Sequence, residues 1–371
     1  MIKHVLITGG AGFIGSHLAD ELLEKGYKVR ALDNLSEQVH GPDAVRPDYL
    51  HPDVELIIGD VRDKNAVKRA LEGIDAVFHF AAMVGVGQSM YQLTDYTDVN
   101  NLGTAVLLEA LIENPVQKLV VASSMSVYGE GLYKDATGTL VQEGARKIED
   151  LRQHEWELFG KHHIPLVPLP TPEYKKVALT SVYALSKYDQ ERLCLVVGQA
   201  YDIPTTALRF FNVYGTRQSL SNPYTGVLAI FASRLLNNNP PVIFEDGNQM
   251  RDFVHVKDVA RACRLAMETP ESDYEVINIG SGNHYTISEI AGKLAAVMNK
   301  DIASTCNGKY RVGDIRHCFS DLTKARIKLN YAPQVDFNVG LAELAQWLEG
   351  QIAVDSVSKA NEELALRGLT V

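Results

Sequence analysis

The sequence predicts a doubly wound α/β fold: a parallel sheet covered by helices on both faces, with a smaller C-terminal α/β region. Three observations point there. Short, almost uninterrupted apolar runs recur through the first half, which is how strands buried on both faces read. Amphipathic segments separate them, as crossovers between parallel strands require. A glycine-rich turn joins the first run to the first helix.

Taken in order, "HVLIT", "KVRALD", "VELIIGD", "DAVFHF" and "KLVVASS" read as strands, and segments opening near Gly12, Asp63, Asn100 and Ser181 read as helices. Between about Tyr128 and Thr180 the rhythm breaks. A charged candidate helix, "GARKIEDLRQHEWELF", precedes the proline-rich "HIPLVPLPTPEY", and together they read as an insertion over about 130–180 on the rim of the sheet, a candidate lid. "TTALRFFNVYG" supplies another strand. Shorter pieces follow, and from about Asp355 the chain reads as a surface helix or a mobile tail.

The turn "TGGAGFIG" carries Gly10, Gly12 and Gly15 in G-x-G-x-x-G spacing, with Gly9 adding a second overlay. Glycines there allow a tight turn and let backbone approach a pyrophosphate at the helix N-terminus. Asp33 closes the second strand, where a carboxylate accepts hydrogen bonds from an adenosine ribose and repels a 2′-phosphate. The pattern calls for NAD rather than NADP. A turn that serves packing alone is the alternative.

Composition sets further bounds. The chain has 371 residues and a net charge of −10, which excludes a general nucleic-acid binder but not a protein with local anion-binding groups. Four scattered cysteines fit free thiols in a reducing compartment. No apolar stretch approaches a membrane span, and "MIKHVLITGG" lacks a signal peptide's apolar length, so a cytoplasmic protein with no membrane partner is expected. His154, His162 and His163 lie in the insertion without cysteines or acids at ligand spacing, so no metal is expected. His79 reads as a packed histidine.

"TSVYALSKYDQERL" places Tyr183 and Lys187 one helical turn apart on one face. Alone, Tyr-x-x-x-Lys is a common accident of a helix surface. In this chain it follows "TGGAGFIG", "FHFAA" and "ASSMSVYG" and precedes "RFFNVYG", "DGNQMRDFVHVKDVARA" and "YRVGDIRHCFSD". This series closely resembles the extended short-chain dehydrogenase/reductase family, in particular its nucleotide-sugar epimerases and dehydratases, over nearly the whole chain outside the insertion and the tail.

The resemblance implies an NAD-binding Rossmann domain over 1–212 and a substrate-binding region over 213–371, with about 253–282 packing back onto the first domain. It makes Ser124, Tyr183 and Lys187 catalytic. It lines the cofactor with Gly9, Gly12, Phe13, Ile14, Gly15, Asp33, Asn34, Asp60, Val61, Phe80, Ala81, Ala82 and Asn100, besides Tyr183 and Lys187. Ser124, Ser126, Asn212, Arg251, Arg311, Asp314 and Cys318 would meet a dTDP- or UDP-linked sugar, the arginines holding its phosphates and Cys318 limiting sugar bulk. The plain alternatives are a salt bridge to Asp252 for Arg251, a cap or turn for Asn100 and Asn212, and a buried thiol for Cys318. Family members often dimerise through the helices near Asn100–Glu113 and Tyr183, so a homodimer is expected.

Which branch follows from what stands beside Ser124. Dehydratases of the family carry an Asp-Glu pair directly after that position, and here Met125 and Ser126 can act as neither acid nor base. Related decarboxylases carry a glutamate in the same segment, which is missing. Asp33 weighs against an NADPH-consuming reductase. Epimerisation at C4 through a 4-keto sugar remains. "NNLGTAVLLEAL", "NPYTGVLAIF", "GKYRVGDIRHCF", the insertion, and Val84 where a lysine is usual look most like the dTDP-L-rhamnose 4-epimerases, which make dTDP-6-deoxy-L-talose. A UDP-glucose or UDP-N-acetylglucosamine 4-epimerase, or a reductase of a nucleotide keto sugar, is the alternative.

Overall fold

The computed structural model describes residues 2–43, 45–224 and 226–370. Seven parallel strands make the central sheet: β1 (His4–Thr8), β2 (Lys28–Asp33), β3 (Glu55–Ile58), β4 (Ala76–His79), β5 (Lys118–Ser124), β6 (Thr205–Phe210) and β7 (Val276–Ile279), in the spatial order β7-β6-β5-β4-β1-β2-β3. The strand side chains divide by parity. Val5, Ile7, Phe78, Val120 and Leu208 pack under one helical layer, with α1 (Phe13–Glu24) and α5 (Val256–Glu268). Leu6, Val77, Leu119, Val121 and Ala207 pack under the other, with α2 (Lys64–Leu71), α3 (Gly103–Glu113) and α4 (Val182–Ala200). A two-residue strand period with apolar residues at both phases produces this double burial.

After β6 the chain builds a second core from the helices Val227–Leu236, Ile287–Val297 and Phe337–Leu348, around Phe231, Leu294, Leu341 and Leu344. The middle of this half returns to the first. Strand β7 pairs with β6, Ile277 opposite Leu208, and α5 packs on α1.

The insertion is a small antiparallel sheet of Leu132–Lys134, Leu140–Val141 and Val167–Leu169, and the candidate helix shrinks to Ile148–Arg152. His154 takes a positive φ of 62°, which ends the helix. Beyond it the chain runs extended, Leu158 and Leu166 share a backbone hydrogen bond of 2.8 Å, and both side chains join Tyr133 in a separate core. The tail is docked as the helix Val357–Leu366. Leu364 and Ala360 are buried, the Glu363 carboxylate accepts from the Tyr91 hydroxyl at 3.1 Å, and the Val312 amide donates to the Leu369 carbonyl at 2.9 Å.

Buried charges weld the insertion to the second region. Arg316 meets Glu157 at 2.6 Å, Asp246 at 2.6 Å and Glu245 at 3.0 Å, and Arg146 meets Glu245 at 2.7 Å and Glu130 at 3.2 Å. Removing one partner strands the others in a low dielectric, at a cost of about 3–5 kcal/mol. Arg316→Ala should therefore lower unfolding free energy by that amount in urea titrations. A loss below about 1 kcal/mol, the range of exposed pairs, would show that the cluster is solvated.

Candidate active site

Strand order reverses on either side of β1, so the loops leaving β1 and β4 diverge and open a crevice at the carboxyl edge of the sheet. A cavity of about 830 Å³ occupies it, toward the upper end of the ~300–1,000 Å³ usual for small-molecule sites. Its walls come from the ends of β1, β2, β3, β4, β5 and β6 and from the second region.

The glycine turn forms one end. Gly9 has φ +71°, and a Cβ there would stand 3.0 Å from the Ala81 nitrogen; one on Gly15 would stand 2.4 Å from the Gly9 carbonyl oxygen. The backbone is bare here because side chains do not fit. Gly12 caps α1 without a side-chain hydrogen bond, which leaves first-turn N–H groups for an anion. Phe13, Ile14, Asp33, Asn34, Asp60, Val61, Phe80, Ala81 and Ala82 line the same end. The Asp33 carboxylate accepts from the Ala11 and Leu35 amides, both at 3.0 Å, and Asn34 donates to Asp60 at 3.1 Å. The Arg62 guanidinium, hydrogen-bonded to Asp60, holds that carboxyl down to about 2. This backbone-lined trough with an acid at the ribose position fits a dinucleotide.

Ser124 ends β5, and Tyr183 and Lys187 project from the first turns of α4, all three onto the cavity. Ser181 caps α4 through a 3.1 Å bond from the Ala184 amide, and Ser89 accepts from the Tyr183 amide at 3.0 Å, so the helix start is held from two sides. Burial raises the Tyr183 phenol above its usual value while the Ser124 hydroxyl beside it pulls the other way. Burial pushes the Lys187 ammonium down to about 8. Ser126 also lines the cavity, its hydroxyl 2.9 Å from that of Ser124.

Asn100 lies just behind this wall. It sits in a π-helical turn, Thr97–Leu102, a form that recurs at functional sites. Its side chain accepts from the Met83 amide at 2.7 Å and donates to Ser186 at 2.9 Å. Asn212, Arg251, Arg311 and Asp314 line the far end. Arg251 donates to backbone carbonyls of Met250, Arg316 and Ile315 rather than to Asp252, which bonds Ser281, Gly282 and Ser320. Arg311 grips Asp314 through Nε at 3.0 Å and Nη2 at 2.8 Å.

Cys318, expected against the sugar, does not line the cavity. It is 1 % exposed, packs with Met125, Val127, Tyr128 and Phe211, and its thiol faces Thr171 at 3.8 Å, outside the cavity wall. Cys318 stands opposite Arg251 in a parallel pair, but the longer arginine reaches the cavity while the thiol stays in this core, and Ile315 lines the cavity instead. His317 is likewise tied off: its Nδ1 accepts from the Met250 amide at 3.1 Å and its Nε2 meets Glu157 at 2.9 Å. Phe244 and Glu245, and Val357, Ala360 and Asn361 of the tail helix, line the cavity as well. No local motif marks them. In the insertion the fold brings Asp150, Glu155 and His163 to within 4.8 Å of one another, which sequence spacing did not show; His163 meets Glu155 there as an exposed ion pair at 2.8 Å.

His79 and His17 are buried and pushed down to about 3, chiefly by desolvation. Each is therefore neutral in the fold and protonates at about 6.5 in the unfolded chain. Their contribution is complete above pH 6.5 and lost as pH falls toward 3, about 2 kcal/mol per histidine between pH 7 and pH 5. Urea titrations across that range should lose one such share in His79→Asn. An unaltered slope would mean that His79 carries charge in the folded protein.

A model of the NAD dependent epimerase/dehydratase family matches residues 5–144 and 157–280, and the unmatched 145–156 fall inside the insertion. The dTDP-L-rhamnose 4-epimerase of Burkholderia thailandensis is 35% identical, over 94% of this chain and 96% of its own. Among solved structures, the UDP-glucose 4-epimerase of Thermotoga maritima with UDP-glucose is 31% identical with a TM-score of 0.75, covering 93% of this chain and 98% of its own. That of Thermus thermophilus, in complex with NAD, is 31% identical with a TM-score of 0.74, covering 94% and 100%. Among the described residues no helix is long and apolar enough to cross a membrane.

Proposed function

Because the chain belongs to the NAD dependent epimerase/dehydratase family, whose similar members include nucleotide-sugar 4-epimerases, we propose that it inverts C4 of dTDP-L-rhamnose to give dTDP-6-deoxy-L-talose. The observation that carries the reaction is Ser124, Tyr183 and Lys187 on one wall beside the glycine trough, with Met125 and Ser126 where an acid pair would divert the chemistry. The sugar rests on the Burkholderia relative, which is similar along nearly its whole length.

NAD, when bound, supplies the hydride acceptor and then the donor. The Tyr183 phenolate takes the proton from the C4 hydroxyl as hydride leaves C4, and the phenol returns it after the sugar has turned. Ser124 donates to the same oxygen. Lys187 is cationic below its pKa of about 8 and favours the phenolate that burial alone disfavours. Arg251 and Arg311 hold the diphosphate through charge-assisted bonds, so the hexose is anchored at one end and free to present either face. Substrate and epimer have the same oxidation state, so turnover should need no added reductant.

Tyr183→Phe should lower kcat by about 10²–10⁴-fold with NAD content unchanged, measured on the cofactor released by denaturation. A variant that keeps most of its activity contradicts the proton assignment. A proton NMR time course with dTDP-L-rhamnose and no reductant should show a second sugar reaching a fixed ratio without net NADH. Silence toward that sugar, with turnover of UDP-glucose or UDP-N-acetylglucosamine, would replace the substrate and keep the chemistry. Net oxidation of NADH with a keto sugar would favour a reductase.

We also propose a homodimer through α3 and α4. Leu185 and Val196 lie on one face of α4, 53 % and 56 % exposed. Light scattering should give twice the chain mass, falling to one chain for Leu185→Asp; a monomeric parent removes the interface.

A further inference from the structure

We propose that Gln190 is a positioning residue for Lys187, presenting the lysine ammonium to the cavity through a fully buried polar train that begins at the glycine turn. The proposal rests on the reading that Lys187 serves Tyr183.

Lys187 and Gln190 are three residues apart on α4, and both are buried, the glutamine completely. The Lys187 ammonium donates to Gln190 Oε1 at 2.7 Å. That bond engages one of three N–H donors and leaves the others for the cavity that Lys187 lines. An amide can face either way, and here its orientation follows from its neighbours. Thr104 donates its hydroxyl hydrogen to the Asn100 carbonyl at 2.5 Å, so toward everything else it is an acceptor. His79 Nε2, 2.8 Å from that oxygen, must then carry its proton. His79 Nδ1 is left as the acceptor for the Thr8 hydroxyl at 2.8 Å. Gln190 Nε2 donates to Thr104 at 2.9 Å, because the protonated His79 Nε2 at 3.3 Å cannot accept. With its NH₂ so committed, Gln190 turns its oxygen, the group an ammonium needs, toward Lys187.

The chain of contacts thus runs from Thr8, beside Gly9, through His79, Thr104 and Gln190 to Lys187, with a single consistent placement of protons. A hydrogen bond to the charged form of a buried group favours that form. Gln190 therefore opposes the desolvation that draws Lys187 toward its neutral state. The other titratable groups around the ammonium are Tyr183, Glu191 and Cys194 on the same helix and His79 from β4. Glu191 is committed to Arg209 at 2.7 and 2.9 Å, burial pushes the Cys194 thiol up to about 12, and His79 is neutral. Lys187 is the group left to titrate near pH 8.

The test compares pH profiles of kcat for the NAD-loaded enzyme and its Gln190→Met and Gln190→Glu variants, with the sugar that the enzyme turns over. Gln190→Met keeps length and removes the acceptor. Its alkaline limb should move about one pH unit lower, so that kcat falls about tenfold well above pH 8 but only about twofold at pH 7, with KM unchanged. Gln190→Glu keeps an acceptor oxygen, and its limb should stay in place or move higher. NAD content and thermal melting show whether each variant is folded. A folded Gln190→Met enzyme with the parental limb overturns the proposal, as does a limb displaced equally in both variants, which marks a packing effect. Lys187→Met separates the two claims. If it remains active, the reading of Lys187 has failed; if it is inactive while Gln190→Met keeps the parental profile, only the role of Gln190 has failed.

Discussion

Strand β1 lies between β2 and β4, and the chain winds away from it in opposite directions. That arrangement leaves an opening at the carboxyl ends of the strands which no crossover helix covers. The residues expected to bind or react come to this edge because the strands that carry them end there: Gly9 after β1, Asp33 on β2, Phe80 after β4, Ser124 on β5 and Asn212 after β6. The opening persists because the turn after β1 is bare backbone. A side chain on Gly15 would collide with the Gly9 carbonyl, and one on Gly10 would stand 2.6 Å from the Ala31 side chain.

Charge is buried on both sides of that opening, and the two sides handle it differently. The joint between insertion and second region neutralises its charges with one another, Arg146 and Arg316 against Glu130, Glu157, Glu245 and Asp246. Such pairing is rigid and removes those groups from chemistry. Arg146 also donates to the Asp314 carbonyl at 2.9 Å, so the insertion braces the wall that carries Arg311. That is a buttress, where the sequence suggested a lid. Lys187, by contrast, leans on a neutral amide, which keeps its charge available to whatever occupies the cavity.

Features set by local spacing were legible in the sequence. Alternating apolar runs marked the strands, and the glycine turn and the Tyr183–Lys187 pair fell at the expected ends of elements. Features that depend on which distant segments meet were not. The resemblance places Cys318 against the sugar, yet Met125, Val127, Tyr128 and Phe211, brought together from other segments, enclose the thiol outside the cavity. Gly144–Phe159 has helical composition, yet Leu158 pairs with Leu166 across a short turn and both pack on the more distant Tyr133, a contact that helical spacing does not signal. The tail helix reads as surface because its apolar residues are few, and only the fold shows Leu364 against Gly87 and Asn361 at the cavity. Gln190 is one polar residue among many on α4 until His79 and Thr104 are brought beside it.

The central claim is that one hydride leaves C4 and returns to C4 within a single enclosed site. The most direct test is incubation of the NAD-loaded enzyme in ordinary water with dTDP-L-rhamnose deuterated at C4, followed by mass and NMR analysis of both epimers at equilibrium. The account predicts deuterium retained at C4 in substrate and product alike, with none in water and no free reduced cofactor. Formation of the C4 epimer with loss of the label to solvent would contradict it, because the proton chemistry assigned to Tyr183 would then act on carbon rather than on oxygen.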